Sequence, residues 1–209
     1  MVSKFSKLAL ATGLALGSTM VFAESTPYVG LMAGWDDVAA DIDTSTSLLM
    51  ESASVSGLNG TIVGGFEIPM PGGFINFEAS IGDSSAEYVE ESATSALTIT
   101  KNIGYGVDAL FGTNLNRSTI LFGSLGYKMV DMEFASNSSG SGRSDTEETF
   151  SGASAGVGLQ TELTDMVDVR LHWTRTFYAE EEISLSNNSL QFEVKPTGNS
   201  FSIGVIGKF

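Results

Sequence analysis

The chain is 209 residues long, with 25 acidic against 10 basic side chains, 42% hydrophobic residues, one histidine and no cysteine. A net charge of −15 repels nucleic acid. The lack of cysteine excludes a disulfide framework and a thiolate metal site.

At the start, Lys4 and Lys7 precede an apolar stretch from Leu8 to Phe22, and Val21-Phe22-Ala23 supplies small residues at −3 and −1 of a cleavage site. The stretch is too short and too interrupted to cross a bilayer as a helix, which needs about 20 residues. The expected division is a cleaved export signal, 1–23, followed by one domain, 24–209. Without Lys4 and Lys7 that domain carries 8 basic against 25 acidic side chains, a net −17. No later segment approaches a helical span, so a mature chain that enters a membrane must do so as a closed barrel.

Two-residue alternation then recurs along the domain. Strand one, about Tyr28 to Asp36, puts Val29, Leu31, Ala33 and Trp35 on one face. After a loop rich in Asp, Ser and Thr, alternation resumes as early as Leu48 and runs through Leu58, Ile62, Phe66 and Ile68. Pro69-Met70-Pro71-Gly72-Gly73 makes a sharp turn. Strand three carries Ile75, Phe77, Ala79 and Ile81. After an acidic loop, strand four carries Ile99, Ile103, Tyr105, Val107 and Ala109. A second short turn spans Thr113 to Arg117, and strand five places Leu121, Leu125, Tyr127 and Met129 together.

A Ser- and Gly-rich loop from Ser136 to Glu148 leads to strand six, with Ala153, Ala155, Val157, Leu159 and Leu163 on one face. Thr164-Asp165-Met166 is the third short turn. Strand seven holds Val167, Val169, Leu171, Trp173 and Phe177. A fourth long connection, broken at Pro196, precedes the last strand, where Phe201, Ile203, Val205, Gly207 and Phe209 alternate. Three short turns on one side and four long loops on the other specify an all-β fold: an eight-stranded antiparallel up-and-down transmembrane β-barrel.

A soluble barrel would show the same period, so the direction of the apolar face decides between the two. The other face is crowded with small residues (Gly104, Gly106, Gly156, Gly158, Gly204), which suit the narrow interior of eight strands. Aromatics sit near strand ends on the apolar face, as in interfacial girdles: Trp35, Phe66, Phe77, Tyr105, Phe111, Tyr127, Trp173, Phe201 and Phe209. That face is nearly free of charge. Lys101 and Arg175 are the exceptions, and both fall near loop ends where snorkelling is available.

The segment Gly156-Val-Gly-Leu-Gln-Thr-Glu-Leu-Thr-Asp-Met-Val-Asp-Val-Arg-Leu-His-Trp resembles the strand–turn–strand hairpin of opacity-type, porin-like outer-membrane barrels, which are similar to the transmembrane domain of outer membrane protein A. The last strand, with Phe201, Ile203, Val205 and the terminal Phe209, resembles the signal such proteins present to the barrel-assembly machinery. The resemblance implies a Gram-negative outer membrane, with outer-membrane lipid and lipopolysaccharide as surroundings. It leaves the activity open, because this fold carries adhesins, structural proteins and a few enzymes.

With the apolar face toward lipid, Glu67, Glu78, Asp108, Lys128, Glu162, Asp168, Arg170, His172 and Lys208 point into the lumen, where buried charges must pair. A structural charge network is the expected arrangement, and a narrow pore for ions or small solutes is the alternative. His172 and Thr174 look similar to the His-x-Ser of outer-membrane lipid A deacylases. Yet Thr stands for Ser, both residues turn inward, and no acid is placed to orient the imidazole, although Glu180, Glu181 and Glu182 lie not far along the loop.

The remaining acids gather in the loops: Asp36, Asp37, Asp41, Asp43 and Glu51; Asp83, Glu87, Glu90 and Glu91; Asp145, Glu147 and Glu148. Without EF-hand spacing they read as solubilising charge; the alternatives are divalent cations bridging to lipopolysaccharide phosphates, or a field attracting a cationic extracellular partner. The apolar run Leu48-Leu49-Met50 reads as the start of an extended hairpin. The reading as a whole is a monomeric, non-catalytic barrel without cofactor or metal, serving adhesion or envelope integrity; a lipid A-modifying enzyme is the second alternative.

Overall fold

The computed structural model describes residues 25–44, 53–91, 95–138, 142–185 and 190–209. The export signal 1–23 and the run Leu48-Leu49-Met50 lie outside them. Ten strands follow in chain order: β1 (Thr26–Thr44), β2 (Ala53–Met70), β3 (Gly73–Ser84), β4 (Glu87–Glu91), β5 (Ser95–Asn114), β6 (Thr119–Ser138), β7 (Gly142–Thr164), β8 (Val167–Tyr178), β9 (Glu181–Leu185) and β10 (Leu190–Lys208). Eight of them close a ring, β1-β10-β8-β7-β6-β5-β3-β2, sealed because β1 pairs with both β10 and β2. All pairings are antiparallel, giving a closed eight-stranded barrel. The short β4 and β9 extend the wall at the loop end, β4 against β5 and β9 against β10.

Closure leaves no free sheet edge in the bilayer, the condition under which strands cross it. The outward face is apolar: Leu31, Leu58, Leu125, Ile203 and Val205 are each more than half exposed. The outward aromatics Trp35, Phe201 and Trp173 stand on one rung across β1, β10 and β8. A water-soluble barrel would turn these side chains inward.

The turn between β2 and β3 is built by Pro71 and Gly72. Gly72 has a φ of 85°, the sign a type II turn requires at its third residue. A Cβ there would meet nothing within 4 Å, so the glycine is required by the backbone rather than by space. Gly72→Ala should therefore cost about 1–2 kcal/mol, read from urea unfolding in micelles. In the next turn, Asn116 Oδ1 accepts the backbone N–H groups of Ser118 (2.9 Å) and Thr119 (2.8 Å).

The strands run well beyond the expected boundaries. β1 continues past Asp36 to Thr44, so Asp36 is a wall residue, 4% exposed, instead of a loop acid. The Ser136–Glu148 segment forms two strands paired up to Ser138↔Gly142 instead of a long loop. Pro196 does not break the last strand: it lies inside β10 where the strand changes partner from β8 to β9, so the missing N–H falls at a gap in that ladder. At about 3.3 Å per residue and a tilt near 40°, the 23 residues of β7 rise on the order of 55 Å, against an apolar belt of about 25 Å. More than half of this hairpin therefore stands above the membrane on the loop side.

One register shift changes faces. β5 slips against β6 between Lys101 and Gly104, which reverses the alternation on its loop side. Ile99, expected on the lipid face, is 6% exposed in an interior cluster. Lys101 turns into the lumen for the same reason and meets Asp36, so it does not snorkel along the lipid face.

Candidate functional site

Every second residue of β8 points inward, and the resulting column, Asp168, Arg170, His172, Thr174, Thr176 and Tyr178, is buried throughout. It runs up the lumen from the turn end and organises the partners found on other strands.

At the turn end, Lys208 Nζ stands 2.8 Å from Asp168 and 3.4 Å from Glu67. Gln160 Nε2 donates to Asp168, and Arg170 Nε donates to Gln160 Oε1 at 2.9 Å. The guanidinium of Arg170 also pairs with Glu78 on β3, the strand diametrically opposite. Tyr28 donates its hydroxyl to the same Glu78 oxygen at 2.9 Å. Arg170 lies between the rings of Tyr28 and Phe122, 5.5 Å from each centroid. This cation is fully buried, so its charge is tolerated only because carboxylate, amide and ring faces replace water around it.

Midway, Lys128 pairs with Asp108, and Ser154 donates to Asp108 at 3.4 Å. His172 Nε2 lies 2.9 Å from Ser124 Oγ and 3.4 Å from Thr174 Oγ1, with Phe122 against its ring. Imidazole and hydroxyls are turned away from lipid and held within the barrel. Nearer the loops, Lys101 pairs with Asp36, which also accepts from the Asn59 amide.

Buried apolar clusters pack among these charges. Toward the turn end, Phe74, Leu110 and Phe122 form one cluster, and Tyr28, Met32, Val63 and Ile206 form another. At the loop end, Val38, Val55, Ile99, Val130, Phe134, Phe150 and Tyr178 form a second core above the polar level. Beside them lies a half-open cavity of about 130 Å³, lined by Asp36, Lys101, Asp108, Lys128, His172 and several hydroxyls. Small residues on the facing strands make this filling fit: a Cβ on Gly158 would come within 2.3 Å of the Phe122 ring.

Of the nine charged positions assigned to the lumen, eight lie in this interior, and Glu162 does not. Glu162 is exposed at the turn-side rim, where β7 slips by one residue against β8. Sequence reasoning missed Tyr28, Asp36, Asn59, Lys101 and Gln160 as network members. Strand parity would have found Tyr28 and Asp36, which share a face with Met32. It would not have found Lys101, whose face depends on the bulge. Among the described residues, no group of three or more His, Asp or Glu side chains converges as a metal site requires.

The sequence matches the model of the outer membrane protein beta-barrel domain over residues 9–209. The chain belongs to the outer membrane beta-barrel domain family. Membership places it in the outer membrane, with the barrel as its transmembrane unit. Solved structures share the fold at low identity. A major outer membrane protein from Thermus thermophilus is 10% identical with a TM-score of 0.56, covering 88% of this chain and 99% of that one. The outer membrane protease OmpT from Escherichia coli is 9% identical with a TM-score of 0.55, covering 92% and 100%. Neisserial surface protein A is 18% identical with a TM-score of 0.50, covering 88% and 97%. No curated protein matches the sequence. At these identities the likeness speaks for fold alone.

Proposed function

We propose that this protein is a non-catalytic outer-membrane barrel with a closed lumen, whose working surface is the wall it raises above the membrane. The observation that carries the reading is the filling of the lumen: buried apolar clusters toward both ends, and charges paired with one another across the interior. A conducting pore of eight strands would need a continuous wet path, and side chains packed from several strands narrow it at both ends. The role that fits is structural or surface-interactive, in envelope integrity or adhesion. The raised wall supports it: exposed Asp83, Glu87, Glu147, Glu148 and Glu180 present negative charge well clear of the bilayer, positioned to draw a cationic extracellular partner by long-range attraction.

Planar bilayers test the closed lumen. Purified protein should add no steady unitary conductance over hours at moderate voltage. Frequent, ion-selective steps that disappear when Gly158 is enlarged would replace this reading with that of a narrow pore.

A further inference from the structure

The lipid-facing wall carries one feature that a passive belt does not need. Arg175 on β8 points outward and is exposed, and among the described residues it has no ion pair; its guanidinium carbon lies 5.3 Å from the centroid of the Phe177 ring on the same face. Eight residues separate Val167, at the turn, from Arg175. At about 3.3 Å per residue and a tilt near 40°, that is roughly 20 Å along the barrel axis, the upper part of a belt about 25 Å tall. The arginine therefore stands where the hydrocarbon of the outer leaflet gives way to headgroups.

Its surroundings are shaped as a groove. On successive rungs β6, β7 and β8 present Tyr127–Ala153–Phe177 and Leu125–Ala155–Arg175. The alanines form a low floor, while Tyr127 and Leu125 on one side and Phe177 on the other stand up as walls, each 48% to 62% exposed. The Tyr127 hydroxyl donates to Ser151 Oγ at 2.8 Å, fixing one wall. The nearest acid on the Arg175 rung is Asp37, two strands away across Asn199, and it accepts the Ser54 hydroxyl at 2.8 Å.

We propose that this groove is a docking site for lipopolysaccharide, with a fatty acyl chain along the Ala153–Ala155 floor and a glucosamine phosphate on Arg175. A guanidinium matches phosphate in geometry and charge, and beside hydrocarbon such a pair is little screened. The chain as a whole carries a net charge of −15 and repels anions elsewhere, which makes the phosphate contact local. The proposal rests on outer-membrane placement and is independent of whether the lumen conducts.

Native mass spectrometry of the whole folded protein in micelles containing a deep-rough lipopolysaccharide tests it. Wild type should retain one lipid molecule. Arg175→Gln should lower the retained fraction about tenfold, Arg175→Lys should keep part of it, and Ala155→Phe should lower it by filling the floor. Both altered side chains face outward, and slower migration of boiled than of unheated samples on a detergent gel checks that each barrel is closed. Equal retention by wild type and Arg175→Gln, or equal retention of dephosphorylated lipopolysaccharide, overturns the proposal. So does equally good competition by phosphatidylglycerol, which would assign the groove to phospholipid.

Discussion

Arg170→Met should lower the unfolding free energy of the barrel by about 3–5 kcal/mol, the usual consequence of removing one partner of a buried ion pair. The substitution takes away a guanidinium with no exposed surface and leaves the Glu78 carboxylate with the Tyr28 hydroxyl as its hydrogen-bond donor. It also frees Gln160 Oε1 and leaves the two rings without the group between them. Because Arg170 and Glu78 stand on opposite walls, the loss acts across the whole cylinder. Replacing both, as in Arg170→Met with Glu78→Leu, should recover much of the loss, since no charge is then stranded in the interior. Urea titration in micelles, followed by the fluorescence of Trp35 and Trp173, gives all three values. If the single substitution costs under about 1 kcal/mol, water reaches Glu78 and solvates the stranded carboxylate.

Ile203→Arg should destabilise the barrel in bilayers by about 2–4 kcal/mol, the range for a cation placed at mid-membrane on the lipid face. Ile203 is 52% exposed and lies on the rung between Ala33 and Leu171, all of which face outward. The same change at Leu115, in an exposed turn, should shift stability by less than about 0.5 kcal/mol. Folding into liposomes under a urea gradient measures both. The contrast matters more than either value: a barrel whose apolar side chains met water would gain solubility from Arg at position 203. Equal tolerance at 203 and 115 would contradict a lipid-facing wall.

The two kinds of side chain in these experiments were unequally visible in the amino-acid sequence. Outward positions such as Ile203, Leu125 and Trp173 are legible because lipid demands apolar residues at every second place over a full crossing. The same period assigns Glu78 and Arg170 to the interior. It says nothing of their meeting, since they lie 92 positions apart and are brought together by strand order and stagger. Beyond the membrane the signal fades. In the hairpin of β6 and β7 around Ser136 to Glu148, no hydrocarbon imposes alternation, so Ser, Gly and acidic residues read as a loop although the ladder continues through them. Pro196 misleads for a related reason: it breaks a strand only where both sides need its N–H.

Alternation, turn residues and the direction of greasy against small side chains thus determined the barrel, its strand count and its lipid face from the one-dimensional chain, because each is a local response to its medium. Tertiary structure alone decided the bulge that turns Ile99 and Lys101 inward, the exposed rim position of Glu162, and the cross-lumen bond between Arg170 and Glu78. It also set the buried apolar clusters of the lumen and the groove beside Arg175. Those features depend on register, and one residue of slip exchanges lumen for lipid without altering the composition of any strand.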